Sequence, residues 1–572
     1  MKLGVGQVIR ALGGGAAAII LIPGLAMGQA ALPGAANPNL LERQFLPPEP
    51  PKSSGGEIVT PEHEGAEAPP GAETAIFTLK AVHVEGSTVF QEADFAPLYD
   101  KLLGTTVSVK ALYDLAQAIT TKYTSAGYIL SQAVVPPQKI NGDGIVHIKV
   151  VEGYIDQVSI QGDVKGSRSL LEHYGEQIRA SHPLRLDVLE RYLLLASDLP
   201  GVTAHGVLKP GQVPGASDLV FQVSHKDVDA QASLDNRGSR YVGPWQSVVS
   251  ANLNSPLGLY ERTGFLYAAT PFQPEKLKYG RVSHEEMIGG EGGKISADLG
   301  YSESHPGYSL KDAAIRSNSL LAGISGSYPV IRSRSENLNL QSRFDLRQAD
   351  TDEYVNDLIS KDRIRALRLG GNYDWVDVWG PAPAVTQLAF ELSHGLDILG
   401  ARQTGAAGLS VSDGHSDFLK LTFDASRTQT LTDQLSLFLA LSGQVAGSSL
   451  LSSEQFTFGG SQFGRGYDPA EVTGDDGIAA KLEVRYSGPA VDWLKAWQAY
   501  GFWDGGRVWL INTGASAQPI RDGVSVGLGL RSDLNDWASI NGELARPLTH
   551  GVAAEGGDGK DLRAFVGLMV KY

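Results

Sequence analysis

"ENLNLQSRFDLR" (Glu336–Arg347) alternates with a period of two. Leu338, Leu340, Phe344 and Leu346 share one face, and Asn337, Asn339, Gln341, Arg343, Asp345 and Arg347 share the other. A helix of 3.6 residues per turn cannot sort residues this way, whereas a strand with one oily and one wet face does. "FLKLTFDAS" sets Leu419, Leu421, Phe423 and Ala425 against Lys420, Thr422, Asp424 and Ser426. "VDAQASLDN" sets Val228, Ala230, Ala232 and Leu234 against Asp229, Gln231, Ser233 and Asp235. "KLEVRY" repeats the pattern with Leu482, Val484 and Tyr486. The final stretch, "LRAFVGLMVKY", carries Leu562, Ala564, Val566, Leu568 and Val570 on one face up to the terminal aromatic Tyr572. The period-two region runs from 227 to 572. At roughly 10 residues per strand, with turns and longer loops, it holds about 16 strands.

A soluble sandwich alternates in the same way, so the choice rests on the other end of the chain. Lys2 and Arg10 flank a short apolar run, and "GQA" ends at Ala30 with the small residues that signal peptidase prefers. Residues 1–30 therefore read as a signal peptide. The run is shorter than the roughly 20 residues a spanning helix needs, and Pro23 interrupts it. No later stretch is apolar enough for a transmembrane helix, so any membrane insertion must use strands. A transmembrane antiparallel β-barrel, closed so that every backbone group is paired, is the expected fold.

Composition narrows the function classes. The 572 residues carry a net charge of −15, against the basic face that nucleic-acid binding needs. There are no cysteines, which excludes disulfides and cysteine-based metal sites or nucleophiles. "GGEGGKIS" lacks the order of a phosphate loop. "NGDG" and "TGDDG" lack full calcium-loop spacing and read as turns. The chain holds no H-E-x-x-H pair and no G-x-S-x-G elbow. No catalytic constellation, metal site or cofactor is expected, and the chain is not read as an enzyme.

Between signal and barrel lie three further regions. Residues 31–46 hold "NPNLLERQF", a short helix that Asn37 or Asn39 can cap. Residues 47–74 are rich in Pro, Gly and Glu and read as an extended linker. Residues 75–153 and 154–226 read as two small α/β modules of β-α-α-β-β order, with Leu112, Leu115, Ala116, Ile119 and Tyr123 on one helix face.

Two modules followed by a barrel resemble the two-partner secretion transporters, the TpsB branch of the Omp85 superfamily, which includes haemolysin secretion and activation proteins. "GYILSQAVVPPQKINGDGIVHIKVVEGYI" (Gly127–Ile155) resembles the family's first POTRA module through Pro136, Pro137, Gln138, Glu152 and Gly153. "FGGSQFGRGY" resembles the loop motif through Gly459, Gly460, Arg465, Gly466 and Tyr467. "FWDGG" resembles the barrel-wall motif through Phe502, Asp504 and Gly506. "ELARPL" (Glu543–Leu548) and the strand ending at Tyr572, the expected barrel-assembly signal, also fit. Gly464 stands where the family usually has Val or Ile, which is expected to loosen the tip.

The resemblance implies that the sixth outer loop folds into the lumen, that Arg465 meets Asp504, and that Tyr467 packs against Phe502 where Gly506 leaves room. It also implies a plug helix at 31–46. The outer loops are expected to include "QADTDEYVNDLISKD" and "IGGEGGK". The implied function is export of an unfolded TpsA-type exoprotein across the outer membrane, with the POTRA modules in the periplasm and the chain working as a monomer. Further implied partners are outer-membrane lipid and lipopolysaccharide, and the barrel-assembly machinery during biogenesis. An insertase that places other proteins in the outer membrane shares the loop and wall motifs and is the alternative.

Overall fold

The computed structural model describes residues 32–45, 52, 58–59 and 68–572, apart from 141, 355–357, 379–381, 492–493, 512–519 and 557–558. The expected signal peptide and most of the expected linker lie outside the described residues.

The period-two region forms a closed barrel of sixteen antiparallel strands among the described residues, each bonded to its neighbour in chain order. The first strand, Val228–Asp235, meets the last, Arg563–Lys571, with Gln231 opposite Lys571 and Asp235 opposite Gly567. Burial on the two faces decides membrane barrel over sandwich. On Glu336–Glu353, Leu340 is 45% exposed whereas Asn337 is 3% exposed. The oily face looks outward and the polar face is buried in the lumen, the reverse of a soluble core.

Two loop expectations are corrected. "QADTDEYVNDLISKD" is mostly ladder: the seventh strand runs to Glu353 and the eighth, Leu358–Asp377, begins five residues later. Backbone pairing continues beyond the roughly 9–11 residues a membrane requires, and the ion pair of Asp350 with Arg363 (2.8 Å) braces it. "IGGEGGK" is a tight turn at the end of the barrel that faces the modules. Gly289 and Gly292 take φ of 67° and 80° there, a left-handed backbone that glycine adopts without steric cost.

The second module is a strand (Tyr154–Gly162), two helices (Arg168–Ala180 and Leu186–Ser197) and two strands (Val202–Pro210 and Ala216–His225) around Leu171, Tyr174, Ile178, Leu189, Leu193 and Phe221. It is fixed to the barrel. Arg332 at the end of the sixth strand donates to both oxygens of Asp198 (2.7 and 2.9 Å). Glu291, in the turn between the fourth and fifth strands, accepts from Arg191 (3.2 Å) and Tyr192 (2.8 Å). A piece of the linker, Ile58–Val59, pairs in parallel with Gly206 and Val207 on this module's edge strand.

The first module packs helices Glu92–Tyr99 and Val109–Ser125 on strands Ala81–Glu85, Gln132–Val134 and Ile145–Val151. Leu112, Leu115, Ala116, Ile119 and Tyr123 form the buried face of the longer helix. Glu152 ties this module together by accepting from Thr88 N (2.7 Å), Val89 N (3.1 Å) and the Tyr123 hydroxyl (2.8 Å), as well as from the Thr88 hydroxyl. Burial opposes its ionisation, but these donors outweigh that effect and hold the carboxyl below its ordinary value. The carboxylate therefore adds stability that is complete above the unfolded value of about 4.3 and is lost as pH falls through the lower folded value. Replacing Glu152 with Gln is expected to weaken the first module by about 1–3 kcal/mol. Hydrogen exchange of the intact protein should show faster exchange confined to residues 76–151, with a smaller change between pH 7 and pH 4 than in the wild type.

Candidate functional site

The sixth outer loop, residues 447–475, enters the lumen as a small hairpin in which Phe456–Phe458 pairs with Val472–Gly474. The chain reverses at its tip. Gly459, Gly460 and Gly464 have φ of 118°, 100° and 78°, and Tyr467 N donates to Gly464 O (2.8 Å) to close the turn. Gly464 does not loosen the tip as expected. It takes a backbone that Val or Ile adopts only with strain, and a Cβ there would lie 2.7 Å from the Phe458 ring.

Arg465 is buried on the wall. Its backbone N and Nε both donate to Asp504 Oδ2 (2.9 Å each), and Nη2 donates to Asp504 Oδ1 (2.7 Å). Nη1 donates to Glu483, with Glu543 3.7 Å away. The guanidinium also lies over the Phe502 ring, 3.6 Å from its centroid, a favourable cation–π position. Tyr467 therefore does not pair with Phe502. It packs on Phe458 and His550 (centroids 6.0 and 4.8 Å) and donates to Val524 O (3.1 Å). The room at Gly506 is filled by Phe458, whose ring lies 2.2 Å from where a Cβ would stand. Gly466 is equally confined, with Ser525 Cβ 2.8 Å from its missing Cβ.

Several members of this cluster were not singled out from the sequence. Glu483 also accepts from Arg485 (2.7 Å) and Arg531 (3.0 Å), and Glu543 accepts from Arg237 (2.8 Å) and Tyr500 (2.8 Å). The available signal was the wet face of "KLEVRY" and "ELARPL", but alternation does not say which strands face a loop. Beneath the tip is a cavity of about 700 Å³ lined in part by Arg485, Arg531, Trp497 and Asn541. Among the described residues no group of His, Asp or Glu is arranged to hold a metal ion.

Residues 34–45 lie in the lumen beside this loop. A helical turn, Pro38–Leu41, is capped by Asn37, whose Oδ1 accepts from Asn39 N (3.0 Å), and 3-10 turns flank it. Glu42 pairs with Arg347 on the wall, Arg43 donates to Ser453 O, and Asn37 Nδ2 lies 3.3 Å from Ser452 Oγ.

The first-module motif lies elsewhere and is built for the backbone. Pro136 and Pro137 have no N–H for the ladder beyond Gln132–Val134. Gln138 replaces it with its side chain, accepting from His147 N (2.9 Å) and donating to His147 O (2.7 Å). Gly153 sits where a Cβ would meet Leu130 O at 2.3 Å, at the passage between the modules. Tyr572 is 78% exposed at the barrel end, with Lys226 Nζ 5.4 Å from its ring centroid.

Comparison with known proteins adds to this geometry. Residues 215–531 match the family described as haemolysin secretion/activation protein ShlB/FhaC/HecB, and residues 77–153 match the ShlB-type POTRA domain. The heme/hemopexin transporter protein HuxB of Haemophilus influenzae is 24% identical over 491 residues, 84% of each chain. The outer membrane transporter CdiB of Dickeya dadantii is 23% identical over 457 residues, 76% of this chain and 75% of that one. The solved structure of CdiB from Escherichia coli superposes with a TM-score of 0.70 at 19% identity, covering 90% of this chain and 93% of that one. The solved structure of BamA from Haemophilus ducreyi lacking POTRA domains 1–3 superposes with a TM-score of 0.51 at 12% identity, covering 87% of this chain and 100% of that one, a likeness of fold alone.

Glu471, on the outer arm of the loop, supplies a test of how the loop is seated. Burial, opposed by a hydrogen bond from Ala553 N and reinforced by Asp468, pushes its carboxyl up to about 7. Arg563 acts in the opposite direction to Asp468. In an unseated loop the value returns to about 4.3, so seating is favoured while Glu471 is protonated and weakens as pH rises from there through about 7. Amide exchange across 459–471, corrected for its intrinsic pH dependence, should be slower at pH 5.5 than at pH 8. Glu471→Gln should remove that difference and hold the slower value at both.

Proposed function

The chain belongs to the haemolysin secretion/activation family, and from that premise we propose how its lumen and modules carry out export. As a member it is an outer-membrane transporter of two-partner secretion: a β-barrel with its POTRA modules in the periplasm. The substrate in this reading is a secreted TpsA-type exoprotein that reaches the periplasm unfolded.

The reading is supported above all by the contents of the lumen. One occupant, residues 34–45, is held by a few polar contacts and by packing of Ala35, Ala36, Leu41 and Phe45, and is joined to the rest by a linker. The other, the sixth loop, is held by a buried arginine among carboxylates. Both are removable without breaking any strand ladder. The linker strand Ile58–Val59 occupies an edge that an extended substrate strand would use in the same way, because backbone pairing asks little of sequence. Substrate binding at that edge frees the linker, the plug withdraws toward the periplasm, and the chain threads outward and folds. The periplasm supplies no ATP, so folding outside the cell drives the passage.

Outer-membrane lipid and lipopolysaccharide contact the oily band, and the strand ending at Tyr572 is what the barrel-assembly machinery recognises during biogenesis. One chain forms the whole pore, and none of this requires an active site. For the insertase alternative, the BamA likeness speaks to the fold and not to the activity.

The absence of cysteine makes the plug directly testable. Asn37→Cys with Ser452→Cys places a lone thiol pair between plug and loop. Under oxidising conditions this variant should secrete its exoprotein at least tenfold less than under reducing conditions, with unchanged heat-modifiable barrel. Equal secretion in both conditions would remove the plug from the mechanism. Arg465→Ala and Asp504→Asn should each reduce secretion at normal barrel level, since a buried partner left unpaired costs about 3–5 kcal/mol. Charge reversal should not restore the pair, because an aspartate at 465 would face Glu483 and Glu543.

A further inference from the structure

The sixth loop touches the wall at a second place, away from its tip. It makes one 3-10 turn, Ser452–Glu454, and Glu454 is 1% exposed. Its carboxylate accepts from both terminal nitrogens of Arg368 on the eighth strand (2.8 and 3.2 Å), and Lys420 Nζ on the tenth strand lies 2.8 Å away. Lys420 and Gln444 also donate to the Glu454 carbonyl (2.8 and 3.1 Å). Arg368 is held in turn by Asp345 (2.6 Å). The loop is thus pinned on the eighth and tenth strands at Glu454, and on the twelfth and thirteenth at Arg465.

The same turn seats the plug. Arg43 donates to the carbonyls of Ser453 and Gln455, and Asn37 reaches Ser452. Next to it, Glu42 pairs with Arg347 on the seventh strand. Charge then decides what plug departure does. With the plug seated, Arg43, Arg347, Arg368 and Lys420 share the carboxylates of Glu42, Glu454 and Asp345. Departure removes Glu42 and Arg43 together and leaves Arg347 without its ion-pair partner. The remaining carboxylates that act on Arg347 are Glu454 and Asp345. Asp345 lies on a barrel strand and already holds Arg343 and Arg368. Glu454 lies on a loop and can shift. Departure also strips the Ser452–Glu454 turn of its Arg43 and Asn37 contacts on the lumen side, so the turn loses part of its support while water enters beside Arg347.

We propose that Glu454 is a positioning residue that couples the plug to the arginine tip. While Glu42 and Arg43 are seated, Glu454 stays on Arg368 and Lys420 and keeps the loop taut. When the plug leaves, the turn loses its Arg43 and Asn37 support, Glu454 exchanges among Arg368, Lys420 and Arg347, and the tip slackens from Asp504. The coupling rests on the transport reading above, in that the plug must leave.

The test uses the purified full chain. Glu454→Gln keeps the shape and removes the charge, and Arg43→Gln alters only the plug and touches no strand. In both, open-channel conductance in planar bilayers should rise several-fold. Deuterium uptake by amides 459–467 should speed up by at least threefold, with heat-modifiable mobility unchanged. Deleting residues 34–45 should loosen the tip in the wild-type background and add little in Glu454→Gln, the non-additivity expected of one coupled unit. Arg43→Gln that raises conductance but leaves tip exchange at the wild-type rate overturns the coupling, and so do variants that match the wild type in both readouts. Arg43→Gln decides the matter alone if Glu454→Gln fails to assemble. Failure of the transport reading has a different signature: no exoprotein depends on the chain, while the exchange experiment still reports on the resting loop.

Discussion

The structure depends on one constraint: in hydrocarbon every backbone N–H and C=O must find its partner within the chain. Sixteen strands meet it by closing, with Gln231–Asp235 bonded to Gly567–Lys571. Closure also fixes the chemistry of the interior. Each strand that turns Leu340 or Leu528 to lipid turns Asn337 or Ser525 inward. The lumen is therefore lined with polar groups, screened from bulk water wherever something fills it.

That setting explains why ion pairs act beside apolar contacts, such as Leu41 and Phe45 of the plug and Phe458 of the loop, in holding the lumen's contents. Arg465 with Asp504 and Glu483, Glu454 with Arg368 and Lys420, and Glu42 with Arg347 are all largely buried. Buried pairs of this kind add little net stability compared with apolar packing, but breaking one partner away is expensive. They define a single seated arrangement and give way when a replacement carboxylate or cation arrives. A transporter that must be shut at rest and cleared during use is well served by such contacts. The aromatic residues add direction: Phe502 lies beneath the Arg465 guanidinium, and Phe458 fills the space that Gly506 leaves.

The modules serve the same end from outside the membrane. Asp198 and Glu291 clamp the second module to the barrel through Arg332, Arg191 and Tyr192, so its sheet keeps a fixed aim at the pore. The first module joins the second at Gly153, Gly127 and Leu130, and Glu152 and Gln138 use their side chains on backbone partners. Motif residues in the two parts of the chain thus do different work. Those near 136–153 build a sheet and a close-packed junction between the modules, and those near 465 and 504 hold a loop folded into the lumen.

Much of this was legible in the residues, for a physical reason. Period-two alternation, the turn glycines and the helical face from Leu112 to Tyr123 are local consequences of backbone geometry, so strands, modules and approximate strand number follow from neighbouring residues, whereas the choice of barrel over sandwich also needed the expected signal peptide and the aromatic C-terminal strand. The motifs at Arg465 and Asp504 marked a pair 39 positions apart. What sequence could not determine was which inward-facing groups meet across the lumen. Glu483, Glu543 and Glu454 look like any other wet-face or loop carboxylates until closure brings the strands around one loop. "QADTDEYVNDLISKD" looked like a loop because its charges conceal a ladder braced by Asp350 and Arg363. Gly464 looked like a loosening of the tip until its left-handed backbone and the Phe458 ring showed that the tip requires it. Alternation records only the side of the sheet on which a residue lies, and its partners are decided when the sheet closes.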